Sequence, residues 1–317
     1  MITLLILAYN EENFIKTTVL KYVEDFEEIL IIEDASRDNT LSICNDLIDK
    51  YEKIKLIKNN KNLGAGKSFE LGVRHFLSTN SDYLIKIDGD DQFKYDDVIN
   101  IVSILNSQNI DYIKCDRFWE KGIEGKIPFI RYVGNAFASI LLKFSTGNWK
   151  LNDPLNGLFA ISRKGLMEFE LPRLFFRYGY PFYLSTYLSN ISFEKHFVTG
   201  QIKNTISYSG QKSNLKALTM FFKLIYFTFS VFFKKIKMKI KLSSLQASAI
   251  LDLLGLFSVS VSLYCLIRFL LIRYGNLIAS QATWFLIFLI FLFLGVNFIF
   301  QSQKSEFKYK LKYFHDL

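Results

Sequence analysis

The chain has 317 residues, half of them hydrophobic and 32 of them phenylalanine, with a formal charge of +9. That is more apolar matter than a soluble domain of this length needs for its core, and it points to membrane contact. The basic runs, 234–241 and 304–312, flank apolar stretches; they suit anionic lipid headgroups, and neither zinc-finger spacing nor the pattern of an RNA-binding sheet accompanies them, so nucleic acid is not an expected partner.

Cys44, Cys115 and Cys265 form no C-x-x-C pair and cannot all join one another, which fits a reducing, cytosolic setting for the soluble part. The apolar start, Met1 to Leu7, stops at Tyr9-Asn10-Glu11-Glu12. It is too short to cross a bilayer and lacks the basic leader of a signal peptide, so it reads as a buried first strand.

From there to about residue 116, β-branched runs alternate with helical patterns. Strands are expected at Ile2–Ala8, Ile29–Glu33, Ile54–Lys58, Tyr83–Ile87 and Ile110–Cys115. Helices are expected at Glu11–Asp25, Asn39–Lys50, Ala65–Leu77 and Asp96–Leu105, with Ser36 or Asp38 capping the second. This alternation builds an α/β fold, a mainly parallel sheet with helices on both faces. Ligands of such sheets sit beyond the carboxyl ends of the strands, where Tyr9, Asp34 and Asp88 fall. Pro128–Phe144 reads as a helix, and Pro154 to Ser162 as a loop feeding a strand.

Residues 214–241 carry a polar stripe, Lys216, Thr219, Lys223, Tyr226, Ser230, Lys234 and Lys237, on an otherwise apolar helix. That is the pattern of a helix lying in the membrane interface. Two apolar segments follow, Ala249 to about Ile272 and Ala282 to Phe300, each long enough to span, with a turn at Tyr274-Gly275-Asn276. The expected division is a cytosolic α/β domain over 1–213, the interfacial helix and basic run over 214–241, a two-span hairpin over 242–303 and a basic tail over 304–317. Both basic runs then lie on the cytosolic side.

Four short motifs carry the chemistry. They are Leu7-Ala8-Tyr9-Asn10-Glu11-Glu12, then Ile32-Glu33-Asp34-Ala35-Ser36-Arg37-Asp38-Asn39-Thr40, then Asn62-Leu63-Gly64-Ala65-Gly66-Lys67-Ser68, then Asp88-Gly89-Asp90-Asp91-Gln92. Each alone has an ordinary reading as a helix N-terminus or a solvated turn. Together, in this order, they resemble the nucleotide-sugar domain of the family 2 glycosyltransferases. Asn152-Asp153-Pro154-Leu155-Asn156-Gly157-Leu158 extends the resemblance to the polyprenyl-phosphate branch, which writes its metal motif D-A-D-x-Q. Leu7, Glu33 and Asn156 depart from the usual Pro, Asp and Ser or Thr, and Gly210-Gln211-Lys212-Ser213 matches the juxtamembrane segment only loosely.

The resemblance implies a GT-A fold and an inverting transfer from a GDP- or UDP-linked hexose to a polyprenyl phosphate. It implies that Asp88, Asp90 and Gln92 hold Mg²⁺ or Mn²⁺, which would offset the charge of the departing diphosphate. Ala8, Tyr9, Glu11, Ile32, Asp34, Gly64, Asp88 and Gly89 would line the donor pocket, with Tyr9 and Glu11 at the nucleoside and Asp34 at the base or ribose. Arg117 and Arg131, with Asp90 and Asp153, complete the catalytic set; the arginines would grip the acceptor phosphate, with Lys212 as a further candidate. The bland reading of either arginine is a surface ion pair, and of Asp153 an Asp-Pro turn. Asp153 otherwise orients the acceptor, or serves as base if the acceptor is a hydroxyl of a lipid-linked glycan or glycolipid. A catalytically inactive sugar-nucleotide-binding scaffold is the reading from another class. A homo-oligomer is left open.

Other patterns are excluded. Gly66-Lys67-Ser68 ends like a phosphate-binding loop, but Lys61 stands where that loop needs its first glycine. His75, His196 and His315 have no ligand spacing. The Q-x-x-R-W motif of processive synthases is absent.

Overall fold

A computed structural model of the chain describes residues 1–118, 123–124, 129–191, 197–207, 217–241, 247–274, 280–311 and 314–316. Lys212, the Gly210–Ser213 segment and the turn at 275–276 lie outside them, and Arg131 falls on a described helix although its side chain does not.

The first half alternates β1 (Ile2–Ala8), α1 (Ile15–Tyr22), β2 (Glu28–Glu33), α2 (Thr40–Lys50), β3 (Ile54–Lys58), α3 (Ala65–Ser78), β4 (Tyr83–Asp88), α4 (Tyr95–Ser107) and β5 (Tyr112–Asp116). A two-residue strand β6 (Ile123–Glu124) precedes α5 (Phe129–Thr146), β7 (Phe159–Ser162) and the single turn α6 (Arg163–Leu166). A 3₁₀ turn at Arg173–Phe175 leads to α7 (Tyr180–Ile191), β8 (Thr199–Lys203) and β9 (Ile206–Ser207). The long helices α8 (Ala217–Lys241), α9 (Ala247–Tyr274) and α10 (Gln281–Leu311) follow, and β10 (Phe314–Asp316) ends the order.

The main sheet has eight strands in the order β10-β8-β5-β7-β4-β1-β2-β3. Every β1 residue is buried, as expected of a central parallel strand covered on both faces. Ile6, Ile31, Ile87 and Ile113 meet Val19, Phe26, Val98 and Ile101 of α1, its following turn and α4 in one core. The sheet is parallel except for β7, which runs antiparallel between β4 and β5. The loop feeding β7 therefore arrives among the carboxyl ends of its neighbours.

The expected elements recur with small shifts. Helix α1 starts at Ile15, later than Glu11, because the Glu11 carbonyl accepts the Phe14 and Ile15 N–H groups in a preceding turn. Neither Ser36 nor Asp38 is the N-cap of α2, which is Asn39; Ser36 Oγ accepts the Asn10 N–H, while Asp38 Oδ1 accepts the Thr40 N–H at 3.0 Å.

The chain divides into two compact units, Met1–Ile225 with Tyr313–Leu317, and Tyr226–Lys312. The division falls inside α8, and the terminal residues do not stay a separate tail: β10 adds to the sheet edge beside β8. In the second unit, α9 and α10 pack as a hairpin. Gly255 and Gly295 face each other where the helices cross; a Cβ on Gly295 would stand 3.1 Å from the Gly255 carbonyl oxygen. Among the described residues two helical stretches, Ala247–Tyr274 and Gln281–Ser305, are long and apolar enough to cross a membrane. Helix α8 is not one of them. Its Lys239 bonds Asp252 of α9 at 2.6 Å.

Candidate active site

Two loops are laced together at the tips of β1 and β2. Asn10 N–H donates to Ser36 Oγ, Glu11 N–H to Thr40 Oγ1 and Glu12 N–H to Asp38 Oδ2, while Arg37 N–H donates back to Asn10 Oδ1. The Asn39 backbone and side chain both donate to Glu12 Oε2. The lacing fixes Glu11 beside the tip of β4. Of the non-glycine residues described, four have positive φ: Asn10, Ala35, Asp91 and Asp153. All four lie in loops at the candidate site, the usual place for stored backbone strain.

The tip of β4 gathers the acids. Gly89 N–H bonds the Leu7 carbonyl, so the turn of Asp88 to Asp91 lies against the end of β1. Burial, then the charges of Asp90, Asp88 and Asp38, push the Glu11 carboxyl up to about 8. Burial and then Asp88 push the Asp90 carboxyl up as well. Burial is the larger cause in both, and the neighbouring carboxylates add to it. One cation answers it from below: Lys86, 1% exposed, bonds Asp88 Oδ1 at 2.5 Å. Burial pulls the Lys86 ammonium down, but Asp88 and Tyr180 outweigh it and the net shift is upward. Asp91 turns away to pair with Lys21.

The oxygen donors suit a hard divalent cation. Among the described residues no three His, Cys, Asp or Glu side chains enclose a metal by themselves. Asp88 and Asp90 could hold a divalent ion only with further oxygens, such as Mg²⁺ takes from substrate phosphates and water. The Gln92 N–H donates to Asp90 Oδ1 at 3.3 Å.

Asp34 at the tip of β2 is nearly buried. Its Oδ1 accepts from Asn59 and Leu63 N–H, and its Oδ2 accepts from Gly64 N–H at 2.7 Å. The carboxylate thus holds the turn that starts α3, where Gly64 has φ 92° and no room for a Cβ beside Arg177. Ile32, expected at the donor pocket, is fully buried opposite Leu7 in the ladder, so its side chain is part of the core and only its backbone is left for a ligand. Ala8 ends β1, and Tyr9 follows it half-buried.

On the other side, β7 separates β4 from β5, so the tip of β5 lies about 10 Å from that of β4 by two strand spacings. Arg117 follows β5, and its guanidinium meets the Asp153 carboxylate through Nε at 2.7 Å and Nη2 at 2.6 Å. Asp153 is fully buried. The two residues expected to act separately on the acceptor are one unit, and Asp153 is not a bare Asp-Pro turn. Beside them opens a pocket of about 600 Å³ lined by Asp116, Tyr132, Asn135, Lys143, Trp149 and Asp153 among others. Burial pushes Asp116 up and Lys143 down.

The sequence reading missed two buried lysines. Lys86 and Lys114 stand opposite Phe159 of β7 from either side. Lys114, pulled to about 7 by burial, donates to the Asn156 carbonyl and so ties down the loop carrying Asp153 and Gly157. Their only sequence signal was a charged residue at an inward position of an apolar strand.

The glycosyl transferase family 2 profile matches residues 3–169, more than half the chain. The chain belongs to that family. It is 35% identical over 140 residues to an uncharacterised protein of Methanocaldococcus jannaschii, covering 42% of this chain and 57% of that one. It is 27% identical over 179 residues to a UDP-N-acetylglucosamine–dolichyl-phosphate N-acetylglucosaminyltransferase of Methanococcus voltae, covering 52% and 71%. A dolichyl-phosphate β-glucosyltransferase of Trichomonas vaginalis matches at 27% over 158 residues, covering 44% of this chain and 45% of that one. Glucosyl-3-phosphoglycerate synthase from Mycobacterium tuberculosis, solved with Mn²⁺, UDP and product, shares the fold at a TM-score of 0.52, with 17% identity over 73% of this chain and 79% of that one. The GT-A architecture expected from the motifs is the architecture found.

Proposed function

We propose that this family 2 protein transfers a sugar from a nucleotide sugar to a polyprenyl phosphate at the cytosolic face of a membrane, with inversion and with a divalent cation. The convergence of Glu11, Asp88 and Asp90 at the tips of β1 and β4 carries the proposal. Two relatives named for dolichyl phosphate, and the Mn²⁺ and UDP of the mycobacterial structure, support it. The two apolar helices would anchor the enzyme, and the aromatic face of α8, with Phe222 and Phe229 exposed, would lie in the interface.

Asp88 and Asp90, with Gln92, would hold Mg²⁺ or Mn²⁺, which supplies charge compensation for the leaving diphosphate. Tyr9 and Glu11 would border the nucleoside, and the Asp34-held turn with Gly64 would shape the floor beside it. Inversion needs the acceptor opposite the leaving group, and the pocket lined by Asp116, Tyr132 and Asp153 is the place proposed for it. Arg131 and Lys212 are proposed to meet the acceptor phosphate there.

The geometry favours a phosphate acceptor over a hydroxyl. A hydroxyl needs a base, and Asp153, the candidate, is buried and committed to Arg117. A phosphate is already ionised near neutral pH and needs positioning alone. Membranes containing the protein, incubated with labelled nucleotide sugars and polyprenyl phosphate, should yield an acid-labile labelled lipid with at least one donor. Asp90→Ala should abolish it. Absence of labelled lipid with every donor, or full activity in Asp90→Ala, would contradict the proposal.

A further inference from the structure

Lys86 is out of place as a core residue. It lies on β4 opposite Phe159, 1% exposed, with its Nζ 5.6 Å from the Tyr180 ring centroid and 6.0 Å from that of Phe159. An apolar side chain would fill this space without the desolvation cost of an ammonium. What the ammonium gains is Asp88, two residues on and on the same side of the strand.

The contact is directional. Nζ takes Asp88 Oδ1 at 2.5 Å. The other oxygen, Oδ2, lies against Gly157, where a Cβ would collide with it and would stand 3.2 Å from Lys86 Nζ. The carboxylate is held from below by a cation and from the side by a backbone that lacks a side chain. Its remaining surface is open, for the Asp88 side chain is 38% exposed.

We propose that Lys86 is a positioning residue of the transfer reaction: it makes Asp88 a one-oxygen ligand and lowers the intrinsic pull of the acidic tip on a divalent cation. The inference rests on the metal-dependent reading above. Without Lys86, Glu11, Asp88 and Asp90 would attract a divalent ion strongly even with no nucleotide present. With it, Asp88 and Asp90 would hold the ion well only with further oxygens from a diphosphate, which would couple the cation to the leaving group. A fixed positive charge bonded to Asp88 would act against an ion held by that carboxylate through ordinary Coulomb repulsion. Groups behind a metal ligand typically change metal affinity or activity by about 10–100-fold.

The test is Mn²⁺ binding to the full chain in detergent, read from the paramagnetic resonance of free Mn²⁺, with and without UDP or GDP, beside steady-state turnover. Lys86→Met should tighten nucleotide-free Mn²⁺ binding by about 10-fold while kcat falls by about 10-fold or more. Lys86→Gln should behave the same way, and Lys86→Arg should return Mn²⁺ affinity toward the wild-type value. General damage would weaken binding and turnover together; it would not move them in opposite directions. Unchanged or weaker Mn²⁺ binding in Lys86→Met and Lys86→Gln overturns the proposal, and so does loss of the fold in both. Wild-type protein that binds no Mn²⁺ with either nucleotide overturns the metal-dependent reading as well. Wild-type binding that the variants leave unaltered overturns this inference alone.

Discussion

Arg117 and Asp153 share two parallel hydrogen bonds, and a third runs from the Arg117 backbone N–H to Asp153 Oδ2 at 3.0 Å. Such a pair acts as a unit. Arg117→Ala would leave a fully buried carboxylate without its counter-charge and should cost about 3–5 kcal/mol of stability. The Arg117→Ala, Asp153→Ala double variant should cost less than the sum of the single variants in thermal or chemical unfolding. Additive losses would mean that the pair is not coupled as its geometry requires.

The acidic tip predicts a pH dependence of stability in the metal-free protein. The Glu11 carboxyl titrates near 8 in the fold, against 4.5 as its ordinary value. Between those values the folded state binds more protons than the unfolded state, so stability must fall as pH rises from about 4.5 to about 8. Glu11→Gln should flatten that decline in a series of melting temperatures. Mn²⁺ should stabilise the wild type most at the alkaline end, where Glu11 and Asp90 are ionised. A melting temperature that is level or rising through this window, in wild type as in Glu11→Gln, would count against the crowded tip.

Asp34 organises a turn from beneath it. Asp34→Ala would leave the Leu63 and Gly64 N–H groups and the Asn59 amide without their acceptor. The expected loss is about 2 kcal/mol of stability, with weaker UDP or GDP binding by calorimetry. Nucleotide affinity equal to wild type would separate this turn from the donor site.

Ala35 holds φ at 56°, a conformation unfavourable to a residue with a Cβ and no polar side chain. Ala35→Gly should relieve that strain and, after the added freedom of the unfolded chain, raise stability by about 0.5–1 kcal/mol. A lower melting temperature would refute the strain.

Gly157 lies where a side chain would strike Asp88. Gly157→Ala should reduce Mn²⁺-dependent turnover by about 10-fold or more while the rest of the fold unfolds at nearly the wild-type temperature. Wild-type turnover would show that Asp88 can move aside freely.

The strands were legible from their β-branched and apolar runs: Ile54–Lys58 occupies the limits its residues suggested, and β1 is apolar because both its faces are covered. The acids at the tips of β1, β2 and β4 were legible for the same reason, since polar residues abruptly follow buried runs. What could not be read depends on partners far away in sequence. Nothing local in Phe159–Ser162 says that it runs antiparallel between β4 and β5. Nothing in Phe314–Asp316 says that the chain end returns to the sheet. Lys86 and Lys114 interrupt apolar strands, and only the fold shows that Asp88 and the Asn156 carbonyl take them inside. Arg117 and Asp153 were each singled out, yet their pairing bridges 36 positions and shows only in three dimensions.

The decisive observation is an anomalous difference map, recorded at the manganese edge, from crystals grown with Mn²⁺ and the nucleoside diphosphate that the enzyme binds. A peak within coordination distance of Asp88 and Asp90, bridging to the diphosphate, is the predicted result. Bound nucleotide with no manganese at the β4 tip would contradict it.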